Sequence, residues 1–84
     1  MDEYYYLHMI KSVLAKADIA NKGFIVVEDG LDLKRVIFIM DGDEYVIRMW
    51  NILCNGKVEY TLYKTVEDHG EDIDRGVYYL PFFE

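Results

Sequence analysis

The sequence is poor in residues that cross-link a chain, hold metal ions or attack carbonyls. It has one cysteine, Cys54, one proline, Pro81, one serine, Ser12, and two histidines, His8 and His69. A lone cysteine cannot staple a fold, and small exported domains usually carry several bridges, so a reducing cytoplasm is the expected compartment. Ser12 falls on the polar side of a predicted helix, and Cys54 adjoins a turn with no histidine beside it, so no nucleophile and base are paired locally. His8, His69 and Cys54 lie on separate elements, without the local pairs that transition metals take. Asp72, Asp74 and Gly76 have the look of a calcium loop, but no bidentate Glu follows at the required spacing. A paired-carboxylate hydrolase would need a cleft that so small a domain seldom encloses. No enzymatic activity, no cofactor and no metal are expected. Long apolar runs are missing too: none approaches the roughly 20 residues that span a bilayer. Met1-Asp2-Glu3 is acidic where a secretory signal would be basic.

What is abundant is acid and aromatic surface. The 84 residues hold 16 Asp plus Glu against 9 Lys plus Arg, a net charge of −7, together with eight Tyr, four Phe and one Trp. A chain of this length makes one domain, 1–84, that buries roughly 60–65% of its unfolded surface in a single core. With 52% apolar residues it is a folded globule rather than an acidic disordered tail. The charge disfavours direct contact with nucleic acid or anionic membrane and favours a basic protein partner, although acidity for solubility alone accounts for it equally well.

Residues 3–20 read as a helix, with Leu7, Ile10, Leu14 and Ala17 on one face, widened by Tyr6 and Val13. Asp2 is placed to cap its start and Gly23 to end it. Lys11, Ser12 and Lys16 fall toward the solvated side. Tyr4, Tyr5 and Tyr6 cannot all face the core, because consecutive helical residues point about 100° apart.

Beyond Gly23 the period becomes that of strands, predicted at 24–28, 33–40, 44–54 and 57–66, with hairpin turns at Asp41-Gly42 and Asn55-Gly56. A two-residue loop at Asn55-Gly56 would pair Leu53 with Val58, Met49 with Leu62 and Tyr45 with Val66, all apolar and all on one face. The same register sets Arg48 opposite Tyr63, Trp50 opposite Thr61 and Ile52 opposite Glu59 on the other face, leaving Trp50 and Tyr63 partly exposed unless the C-terminal segment folds over them. Residues 67–74, five of eight acidic, read as a loop, and 77–83 as an apolar segment that adds an edge strand up to Pro81. The expected fold class is α+β, an N-terminal helix packed on a four- to five-stranded antiparallel sheet.

In such a meander, eight acids gather at the end of the sheet away from Asn55-Gly56: Asp41, Asp43, Glu44, Glu67, Asp68, Glu71, Asp72 and Asp74. Like charges so crowded repel, although water and salt screen exposed carboxylates beyond about 8–10 Å. Carboxylates at phosphate-like intervals would suit a basic cleft, with Trp50 or Tyr63 as stacking anchors. A basic, nucleic-acid-binding enzyme is therefore the expected partner, with the chain a monomer or a homodimer. The alternative is a structural or adaptor domain that oligomerises through the exposed sheet face and the apolar end carrying Phe82 and Phe83.

The order helix, short strand, loop, strand, followed by Asp41-Gly42-Asp43-Glu44-Tyr45-Val46-Ile47, resembles the small acidic anti-CRISPR proteins of phages, in particular a type II inhibitor that plugs the DNA-entry cleft of the effector nuclease. The likeness covers residues 24–47. That inhibitor follows its third strand with acidic helices, whereas here a second hairpin follows, so its partner contacts do not transfer residue by residue. The resemblance implies a non-enzymatic, acidic protein directed at a nucleic-acid-binding enzyme.

Overall fold

The computed structural model describes residues 3–20, 22–30, 35–50 and 57–79. One helix, α1 (Glu3–Lys16), precedes five strands: β1 (Ile25–Gly30), β2 (Arg35–Met40), β3 (Asp43–Trp50), β4 (Lys57–Val66) and β5 (His69–Tyr79). The strands form one antiparallel sheet in the order β1-β2-β3-β4-β5, so the expected α+β class is the observed one. Every strand pairs with its neighbours in sequence, the arrangement that short hairpin connections favour.

Helix α1 is apolar on the side it turns to the sheet. Met9, Ile10, Val13 and Leu14 are fully or almost fully buried, and they meet Val36, Phe38, Ile47, Met49, Val58, Tyr60 and Leu62 from one face of the sheet. Leu7, expected in this stripe, is 37% exposed, and Met9 takes the buried place. Phe38 anchors one side of the core, with Phe24 edge-on at 5.5 Å and Tyr45 stacked at 5.5 Å.

The helix stops well before Gly23. Asp18 adopts the left-handed conformation (φ 59°), its N–H donates to the Ala15 carbonyl at 3.1 Å, and the Ile19 N–H donates to Leu14 at 3.0 Å. These are the paired bonds of a Schellman motif, with Asp in the place glycine usually takes and Ile19 packed against the core. Local hydrogen bonding by the short side chain makes Asp tolerable there.

Two features of the sheet depart from expectation. First, β3 and β4 pair Tyr45 with Lys64, Ile47 with Leu62 and Met49 with Tyr60, a displacement of two residues from the Asn55-Gly56 register. The proposed pairs Met49 with Leu62 and Tyr45 with Val66 are absent, and Leu53 lies outside the described residues, as do Ile52, Cys54 and the Asn55-Gly56 turn. A shift of two leaves every side chain on its original face, so the apolar alternation survives it. Second, residues 69–74 are not loop but the first half of β5. Only Glu67 and Asp68 form a turn, with Glu67 at φ 56°, between the paired Val66 and His69.

Both edge strands are bulged: β1 between Val26 and Glu28, and β5 where Leu62 meets Asp74 but Tyr63 meets Asp72. Bulges and charge on an edge discourage pairing with further strands. Among the described residues no helix is long and apolar enough to cross a membrane.

Candidate functional site

The Asp41-Gly42 hairpin has positive φ at both central residues (54° and 82°), as a primed two-residue turn requires. It joins β2 to β3 at the end of the sheet where Glu67-Asp68 joins β4 to β5, because β3 and β4 are antiparallel with Tyr45 facing Lys64. Two acidic turns therefore share one end. The flanking acids are divided between the faces. Asp43 and Glu71 lie on the helix side with Tyr45 and Lys64, whereas Glu44 lies on the other side with Val46.

The structure does not bring all eight acids into one patch. Asp72 and Asp74 lie further along β5, opposite Tyr63 and Leu62, so they fall on opposite faces of the sheet. Four of the eight are engaged. Lys22 approaches Asp41 at 3.6 Å, Lys64 approaches Asp43 at 3.4 Å, Arg75 approaches Asp72 at 3.9 Å, and the Thr65 hydroxyl donates to Glu44 at 2.8 Å. Exposed pairs of this kind contribute about 0–1 kcal/mol each and are weakened by salt. Glu67, Asp68, Glu71 and Asp74 make no ion pair among the described residues. No group of three or more His, Cys, Asp or Glu side chains is placed to hold a metal ion among the described residues.

The face of the sheet turned away from α1 carries the second part of the site. Trp50 is 41% exposed there and Tyr63 is half-buried. Together with Arg48, Thr61 and Asp72 they line an open groove of about 440 Å³. Three residues expected to touch a partner, Trp50, Tyr63 and Asp72, are thus neighbours. Arg48 and Thr61 line the same groove and were not expected to serve as site residues. Their position on the Trp50 face was legible from strand alternation, and what sequence alone could not show was that they face each other across β3 and β4. Phe82 and Phe83 lie outside the described residues.

A third cluster joins helix to sheet. His8 Nδ1 lies 3.1 Å from the Tyr78 hydroxyl, which also hydrogen-bonds the Ser12 side chain. Burial raises the Tyr78 phenol above its ordinary value, and the Ser12 bond works in the opposite direction. Ser12, one turn after His8, is therefore half-buried and engaged rather than solvated. Comparison with protein-family models, with curated proteins and with solved structures returns no match.

Proposed function

We propose that this chain is a non-enzymatic acidic inhibitor that binds the basic nucleic-acid groove of a host defence nuclease, of the anti-CRISPR or anti-restriction type, and acts in the host cytoplasm. The observation that carries the reading is the shared position of the turns Asp41-Gly42 and Glu67-Asp68 at one end of the sheet of a chain with net charge −7. Carboxylates held on tight hairpins are ordered before binding, so a basic cleft receives them without the entropy cost of fixing a flexible acidic tail. Long-range attraction accelerates the encounter, and Trp50 and Tyr63 serve as stacking contacts for the partner on the neighbouring face. The loss of Lys22, Lys64 and Arg75 from their acids would be a small cost, since each pair is exposed.

The test is cleavage of target DNA by a purified type II CRISPR effector nuclease with the protein added. Inhibition should weaken steeply as salt is raised, and should be lost in Asp41→Lys combined with Glu67→Lys, but retained in Asp18→Asn. Absence of inhibition across a panel of CRISPR and restriction nucleases, or inhibition indifferent to salt and to both reversals, overturns the reading.

A second reading, an adaptor that self-associates through its open sheet face, draws on the exposure of Ile25 (71%) and Tyr79 (63%) on that face. Sedimentation separates the two. A stable dimer disrupted by Ile25→Asp or Tyr79→Asp, and unaffected by the turn reversals, favours self-association.

A further inference from the structure

The chain has three arginines, Arg35, Arg48 and Arg75, and all three fall in a single row across the open face of the sheet. Arg35 pairs with Arg48 across β2 and β3, Arg48 with Thr61 across β3 and β4, and Thr61 with Arg75 across β4 and β5. Like charges directly opposite one another on adjacent strands are destabilising, and in a chain with so many carboxylates the usual remedy is an acid between them. That remedy is only partly used. Arg35 donates one guanidinium nitrogen to Glu28 at 3.0 Å, while its Nε is buried without a hydrogen-bond partner among the described residues. Arg75 is held loosely by Asp72 at 3.9 Å. Arg48, in the middle and exposed, has neither a hydrogen bond nor an ion pair among the described residues.

We infer that the groove around Arg48 is a binding site for a nucleoside phosphate. The free guanidinium fork of Arg48 matches two phosphate oxygens, with Arg35 beside it to share the charge. Trp50 follows Arg48 on the same face of β3, and Tyr63 follows Thr61 on β4, so each flanks the arginine row with a ring on which a base stacks. Thr61 supplies a hydroxyl to the lining. Asp72, also in the lining, repels a phosphate and instead accepts hydrogen bonds from ribose hydroxyls or an exocyclic amine. The groove's volume, about 440 Å³, lies in the range of small-molecule sites. The occupant is a mononucleotide and not a strand. A polyanion would meet the repulsion of a chain with net charge −7 at every phosphate, whereas a mononucleotide meets it once.

This site shares Trp50 and Tyr63 with the proposed partner surface but not the turns Asp41-Gly42 and Glu67-Asp68, and it is tested without any nuclease. Trp50 is the chain's one tryptophan, so its fluorescence reports on the groove alone. Adenosine monophosphate should quench it saturably, and should bind about tenfold or more tightly than adenosine or inorganic phosphate alone. Arg48→Gln should weaken binding about tenfold or more and Arg48→Lys should recover only part of it, because the lysine keeps charge without the fork. Lys11→Gln, on the exposed side of α1, should leave binding unchanged. Circular dichroism of the variants should match the wild type, since Arg48 is exposed. Three results each overturn the site: no saturable quenching by the nucleotide, equal binding by inorganic phosphate (an adventitious ion only), or tighter binding of phosphotyrosine. Unchanged affinity in a folded Arg48→Gln protein does so as well.

Discussion

The ring of Tyr63 covers Gly70 so closely that a Cβ built on the glycine would lie 2.6 Å from Cδ2 and 2.9 Å from Cε2. The missing side chain on β5 is what lets the Tyr63 ring lie down along the edge of the groove. Gly70→Ala should therefore cost about 1–3 kcal/mol, because the ring must swing out of its place. In an unobstructed strand the same change would be favourable by about 0.5–1 kcal/mol, so the sign of the shift in a urea denaturation midpoint decides the matter. The loss should vanish in a Tyr63→Ala background.

The left-handed Asp18 offers a gain. Asp18→Gly should raise stability by about 0.5–1 kcal/mol, since glycine occupies that conformation without a Cβ penalty while the two backbone bonds to Leu14 and Ala15 remain. Asp18→Val should lower it by about 1–2 kcal/mol, and thermal unfolding of the two variants side by side checks both signs.

Tyr60 is buried beneath Lys16, whose ammonium stands 5.4 Å from the ring centre, and its hydroxyl has no hydrogen-bond partner among the described residues. Tyr60→Phe keeps the packing and the ring while removing an unsatisfied polar atom. Stability should rise by about 1 kcal/mol in denaturant unfolding, and a loss of similar size would mean that the hydroxyl is satisfied in solution.

Alkaline pH should loosen the contact between α1 and β5. Burial raises Tyr78 above the ordinary phenol value of 10.0, so the folded state holds its proton more tightly than the unfolded chain does. The resulting stability is fully present below about pH 10 and is lost as pH rises through the raised value. Between pH 8 and pH 11 the melting temperature of the wild type should therefore fall more than that of Tyr78→Phe. At neutral pH the variant should be the less stable of the two, having lost its bonds to His8 and Ser12.

Much of the fold was legible where local signals are strong. The bounds of β4, Lys57–Val66, follow from alternation together with the Asn55-Gly56 signal that precedes it in the sequence, and Asp41-Gly42 marks its hairpin because positive φ at two successive positions admits few residue types. The first half of β5 was hidden. Glu71, Asp72 and Asp74 depress strand propensity, and Gly70 and Gly76 read as breakers. In the folded chain those glycines make room for neighbours, Tyr63 over Gly70 and the Lys16 side chain against Gly76.

The candidate site divides in the same way. That Trp50 and Tyr63 share a face was determined by the sequence, because alternation has a period of two and assigns each side chain to a side. Which residues stand opposite one another was decided only by tertiary packing. A slide of two residues between β3 and β4 preserves every face and costs the alternation nothing, so the fit of Met9, Ile10, Val13 and Leu14 against the sheet must select among registers the pattern cannot tell apart. That choice moved Arg48 from Tyr63 to Thr61 and so set three arginines in one row, on an acidic protein whose composition pointed only the other way.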